Sequence, residues 1–355
     1  MGSADRVTAD RVETANTEPE PVWAALKEED LLALRICDLG VSIEGSELEE
    51  QIRLLYDELA SRQLALRPTC YLGDEWLSPT DVPAIAIPFY LAHPRLKTLE
   101  LHQMLEVEGG TPEWCQKLLR HECGHAVDHA YRLSKKPEWA RVFGNPEQEY
   151  NPEVYRPRFY SRGYVRHLPN CYAQAHPDED FAETFAVWLS MPADAWRQQY
   201  RGWKALAKLE YVDALMREAA STKPPRIRIR RIADARKSRR TLRRYYAERR
   251  RRFAEDFPDA YDDDLRLLFS GSPAGGETAA QFMRHHRRPL IASIVRWTGQ
   301  PKYTVDMMVR RQTKRCGELA LHAHPDTASL SFDVGAYLAT LLTNHLHTGR
   351  FKRSV

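Results

Sequence analysis

The chain is 355 residues long, enough for two domains and a sizeable buried core. With 52 basic and 49 acidic residues its formal charge is +3, so bulk charge names no partner. Six cysteines without a C-x-x-C pair argue against a zinc ribbon or a disulfide framework; with no apolar leader after Met1 and no apolar run of about 18 residues, a cytoplasmic protein without a membrane span is expected.

From the N-terminus, residues 1–25 are polar and are expected to form a disordered tail. Residues 26–66 read as helical, with Leu48, Ile52, Leu55 and Leu59 on one face. Short β-like pieces follow at 69–72 and 84–91, and Pro88 points to an edge strand. Thr111-Pro112-Glu113 then reads as a helix start, with Thr111 as cap and Pro112 at the first helical position. Apolar residues recur at helical spacing from Trp114 to Ala130, and Pro137 is a plausible stop. Mid-helix lies His121-Glu122-Cys123-Gly124-His125. Two histidines four apart share a face and can converge on one metal ion, with Glu122 placed to hold and deprotonate a water. Gly124 costs helix stability relative to alanine, which makes sense if another element approaches closely.

Residues 144–170 form a long loop rich in Pro, Tyr and Arg, including Tyr150, Tyr155, Arg156 and Phe159; it is expected to wall a substrate cleft. His176-Pro177 followed by Asp178, Glu179 and Asp180 is a second helix start, and Phe181, Phe185, Trp188 and Leu189 make its apolar face. Glu179 and Glu183 share another face at i, i+4, so either can serve as a third ligand. A common alternative, a third histidine six residues after His125, fails because that position is Tyr131. Asp128 lies three residues after His125 and can accept a proton from a metal-bound ring or pair with Arg132. His129 is expected to point away from the histidine face, and His176 to ligate only if its helix begins earlier.

The sequences His121-Glu122-Cys123-Gly124-His125-Ala126-Val127-Asp128 and Glu179-Asp180-Phe181-Ala182-Glu183-Thr184-Phe185, with Tyr172 before the second, resemble gluzincin metallopeptidases of the anthrax lethal factor type. They are closer still to a bacterial group of zinc-binding metallopeptidases with a similar H-P-x-E-D-[FW]-A-E-T-[FW] segment. The likeness covers about residues 111 to 192. It implies Glu179 as third ligand, Tyr172 as a donor to the transition state, and Glu183 as a carboxylate supporting the ligands. Read from the residues alone, Tyr172 fits a buried core tyrosine equally well. The resemblance also implies that residues 84–91 or 96–101 supply the strand on which an extended peptide pairs.

Two imidazoles and a carboxylate suit a single Zn2+; Fe2+ accepts the same set, and the adjacent Glu122 favours hydrolysis. The expected activity is zinc-dependent hydrolysis of a protein or peptide substrate, with Glu122 as general base. The expected fold is α+β and mainly helical: a zincin-like core of a small sheet, the H-E-x-x-H helix and a glutamate-bearing helix, followed by a helical C-terminal region. The corresponding division is a catalytic domain at 26–205, a basic helical arm at 206–265 and a helical domain at 266–355. In residues 223–252, fifteen of thirty are Lys or Arg against two acids. Arg239 to Arg252 with Tyr245 and Tyr246 therefore offer an alternative, nucleic-acid-binding function. The competing expectation, slightly favoured, pairs these arginines with the acids of Asp256 to Asp264.

Overall fold

The computed structural model describes residues 20–150, 158, 160–224, 227, 229–253, 262–272 and 276–348. Residues 1–19 of the expected tail lie outside this set. Its last residues do not behave as a tail: Val22–Ala25 is a 3-10 turn, and buried Trp23 donates from Nε1 to the Leu39 carbonyl at 2.8 Å. The region expected as helical from 26 to 66 is broken into α1 (Glu28–Leu31), a 3-10 turn (Ile36–Leu39) and α2 (Glu47–Ser61). Gly40, at φ +63°, ends the 3-10 turn, and the Ser46 hydroxyl accepts from the Leu48 N–H to start α2. Leu48, Ile52, Leu55 and Leu59 form the buried face of α2, as their spacing requires.

Strands β1 (Thr69–Gly73) and β2 (Ala84–Pro88) pair in parallel, Thr69 opposite Ala84 and Gly73 opposite Pro88. On the other side of β2, Ala86 exchanges two backbone bonds with Leu77, at 2.8 and 3.4 Å. The expectation of a peptide-pairing strand at 84–91 is therefore corrected. All five β2 residues are buried, β2 is paired with β1 on one edge and with Leu77 on the other, and Phe89–Ala92 is a 3-10 turn. Residues 96–101 are also not a strand; they belong to α3 (Pro94–Met104). The His93 Nδ1 accepts from the Arg95 N–H at 3.1 Å, Pro94 occupies the first turn, and Leu96, Leu99 and Met104 are buried at helical spacing.

Then follow α4 (Pro112–Tyr131), α5 (Pro137–Phe143), α6 (Pro177–Ser190), α7 (Ala193–Gln199), α8 (Ala205–Ala220) and α9 (Leu242–Phe253). The C-terminal part is α10 (Asp262–Leu268), α11 (Ala279–His285), α12 (Arg287–Thr298), α13 (Lys302–Glu318) and α14 (Thr327–Thr348). The result is a mainly helical α+β structure with a small parallel sheet, consistent with the zincin-like architecture. No described helix is long and apolar enough to cross a membrane.

Among the described residues, two large buried cores organise these elements, beside a small cluster of Tyr71, Val82, Ala84 and Ala86. The first runs from Trp23 to Tyr246 and joins α2, β2, α4, α6, α8 and α9. The expected division between residues 205 and 206 cuts through it, because Leu209, Val212 and Met216 of α8 and Leu242, Tyr245 and Tyr246 of α9 are buried there. The second core runs from Leu265 to Leu342 and is built by α10–α14.

Candidate metal centre

The first half of the site is α4. The Thr111 hydroxyl accepts from the Trp114 N–H at 3.2 Å and Pro112 opens the helix. The helix ends at Tyr131, before the expected proline stop, because Arg132 turns left-handed at φ 52°. The second half is α6. Its cap is the His176 imidazole, whose Nδ1 accepts from the Asp178 N–H at 3.1 Å, with Pro177 in the first turn.

The two helices pack on each other more extensively than any other helix pair. Gly124 permits this: a methyl group there would stand 2.8 Å from Ala182 Cα and 3.1 Å from its carbonyl oxygen. The small residue in each motif thus sets the helix spacing, and with it the distance between the histidines and Glu179.

That distance is short. His121 Nε2 lies 3.0 Å from Glu179 Oε2, His125 Nε2 lies 3.2 Å from the same oxygen, and the two Nε2 atoms are 3.2 Å apart. A tetrahedral ion with bonds of about 2.0–2.1 Å spaces its ligands about 3.3–3.4 Å apart, so a few tenths of an ångström separate this triangle from a zinc geometry. A shared proton joins only two of the three atoms; one cation satisfies all three. Among the described residues this trio is the group of His, Cys, Asp and Glu side chains able to hold a metal ion. Glu183 is not in it.

Glu183 instead supports the trio. Its Oε1 is 2.9 Å from His121 Nδ1, and its Oε2 accepts the Leu168 backbone N–H at 2.8 Å. With Nδ1 on a buried carboxylate, Nε2 is the ring atom of His121 that faces the trio. Leu168 has no signature in the sequence, because its contribution is a backbone N–H. His167 beside it bonds the Lys117 carbonyl at 2.9 Å.

The charges respond to this crowding. Burial alone would lower the proton affinity of His121, but hydrogen bonds with Glu179 and Glu183 outweigh it and hold the imidazole well above its usual value. Burial alone would raise Glu179; the two imidazoles, His125 foremost, hold it well below the usual carboxylate range. Glu122 is buried and raised by desolvation, an effect His121 and His125 only partly offset. Asp180 is pushed up to about 7 by burial even though Lys208 of α8 pairs with it.

Tyr172, on a 3-10 turn (Pro169–Gln174) leading into α6, stands with its ring 5.6 Å from that of His121. Its hydroxyl is 2.7 Å from that of Tyr150. Tyr155, Arg156 and Phe159 of the same expected cleft wall lie outside the described residues. Asp128 departs from expectation: it accepts the Ser134 N–H at 2.6 Å, tying down the chain beyond α4. His129 does not point away; its ring stacks on His125 at 6.5 Å, with Nδ1 3.4 Å from the Ser78 hydroxyl. His176 is committed to its cap and to the Gln148 carbonyl at 3.0 Å.

The arginine segment contributes nothing to the centre. Arg240 pairs with Asp74 and Glu248, Arg244 with Glu248, and Arg249 with buried Glu100 at 2.6 Å. Among the described residues, the acids that meet these arginines are Asp74, Glu100 and Glu248. Residues 256–261 lie outside the described set, Asp262 pairs with Arg315, and Asp263 with Arg266. Nucleic-acid binding through Arg239–Arg252 gains no support from this arrangement.

Neither a curated protein nor a solved structure matches the chain. Residues 117–229 match the model of the family described as "Putative zinc-binding metallo-peptidase". The matched segment contains both histidines, Glu122 and Glu179, so the likeness to that family spans the whole trio.

Proposed function

We propose that the chain is a zinc-dependent peptidase that hydrolyses peptide bonds, with one ion held by His121, His125 and Glu179. The observation that carries this reading is the triangle of three donor atoms at 3.0 to 3.2 Å beside a buried glutamate. When bound, zinc polarises a carbonyl and lowers the pKa of a water toward about 7. Glu122 accepts the proton of the attacking water and delivers it to the leaving amine. Glu183 fixes the tautomer of His121, and Tyr172 donates to the carbonyl oxygen as negative charge grows there, worth about 2.7–4 kcal/mol. Protein or peptide is the proposed substrate class. A reducing, cytoplasmic setting belongs to the same reading, in which the free cysteines stay reduced.

Metal analysis and cleavage of fluorescein-labelled casein, measured side by side, test it. The wild type is expected to carry one zinc and to cleave. Glu122→Gln should carry zinc and lose activity about 10²–10⁴-fold. Stoichiometric zinc retained by Glu179→Ala would count against the ligand set.

A further inference from the structure

We infer that Tyr150 is a positioning residue for this centre, fixing the direction in which Tyr172 offers its hydroxyl proton. The inference rests on the hydrolytic reading above. The two hydroxyl oxygens lie 2.7 Å apart, and Tyr172 has one proton to give. If that proton goes to Tyr150, it is lost to a substrate oxygen. If Tyr150 donates instead, the proton of Tyr172 is free to face the site, and the accepted bond strengthens its donation.

The placement of Tyr150 is built into the start of α6. His176 caps that helix through Nδ1 and bonds the Gln148 carbonyl through Nε2 at 3.0 Å, so one imidazole ties residue 148 to the glutamate helix. The Tyr150 ring stands edge-on to the same imidazole, centroids 5.5 Å apart and planes at 83°. The cap that begins the ligand-bearing helix therefore also delivers the second tyrosine. Tyr172 in turn lies against His121, while Tyr150 is 44% exposed, which puts Tyr150 on the outer side of the pair.

The test uses zinc-loaded, full-length protein with fluorescein-casein as probe, and 13C-tyrosine labelling as a readout independent of turnover. Tyr172→Phe is expected to lower kcat about 10²–10³-fold. Tyr150→Phe keeps the ring on His176 and should lower kcat about 3–10-fold, with KM and zinc content unchanged. Added to Tyr172→Phe, it should change nothing further, because its effect passes through Tyr172. The Tyr172 Cζ resonance should move in Tyr150→Phe. An unmoved resonance, an unchanged kcat in an active protein, or equal losses in both backgrounds each overturns the inference alone. A wild type that carries zinc but leaves casein intact refutes the hydrolytic reading, and this inference with it.

Discussion

The two cores differ in how they treat buried charge. Among the described residues, the second core buries the charge of Asp306, whose carboxylate is held by Arg287 Nε at 2.6 Å and Arg310 Nε at 2.7 Å. Two guanidinium groups meet one carboxylate there, and the arrangement fixes α13 against α12. In the first core, α4 and α6 bury His121, Glu122, Glu179, Asp180 and Glu183 within a few turns of each other. Unpaired buried charge is expensive, so carboxylates survive inside a fold only with partners. The partners of Glu179 and Glu183 are imidazoles, which can exchange a proton for a metal ion. The first core also locks helices with such pairs, Arg249 on Glu100 and Lys208 on Asp180, and adds a cluster whose partners are exchangeable.

That contrast can be broken at either core. Phe282→Ala, which empties a fully buried position of the second core, should cost about 3–5 kcal/mol of stability in denaturant unfolding. Zinc content should be unchanged; loss of zinc would mean that the cores are one cooperative unit. Glu183→Gln should lower zinc affinity about 10–100-fold in chelator competition with the fold intact by circular dichroism. An unaltered affinity would show that the charge on Glu183 does not serve His121. Asp128→Asn weakens only the acceptor for Ser134 N–H, so a stability loss of about 1 kcal/mol or less is expected, with zinc affinity unmoved. A tenfold fall in affinity would return Asp128 to the support of the metal ligands.

What could be read in the sequence was local. The starts of α4 and α6 rest on a cap and a proline at adjacent positions, so Thr111-Pro112 and His176-Pro177 announce them. His93-Pro94 carries the same signal as His176-Pro177 and starts the helix over residues 96–101, which the resemblance had offered as one of two peptide-pairing strands. The trio His121, His125 and Glu179 follows from two motifs whose separation the fold closes. The parts that stayed hidden depend on backbone groups or on distant side chains. The Leu168 N–H on Glu183 and the Ser134 N–H on Asp128 have no residue-type signature. The acids facing the arginines, Asp74 and Glu100, lie more than a hundred residues away in sequence, whereas local charge patterning pointed to 256–264. The expected arm at 206–265 takes in α8, whose Leu209, Val212 and Met216 are buried in the first core.

The contact of Gly124 with Ala182 has a consequence for which ions can be accommodated. It is an approach to main-chain atoms, so a side chain at position 124 could be fitted only by moving the two helices apart. Calcium needs oxygen ligands at about 2.3–2.6 Å and six or more of them. A triangle of two nitrogens and one oxygen suits such an ion neither in donor type nor in number. The spacing that an incoming ion would meet is thus set one residue before the second histidine, at a position that has no ligand atom at all.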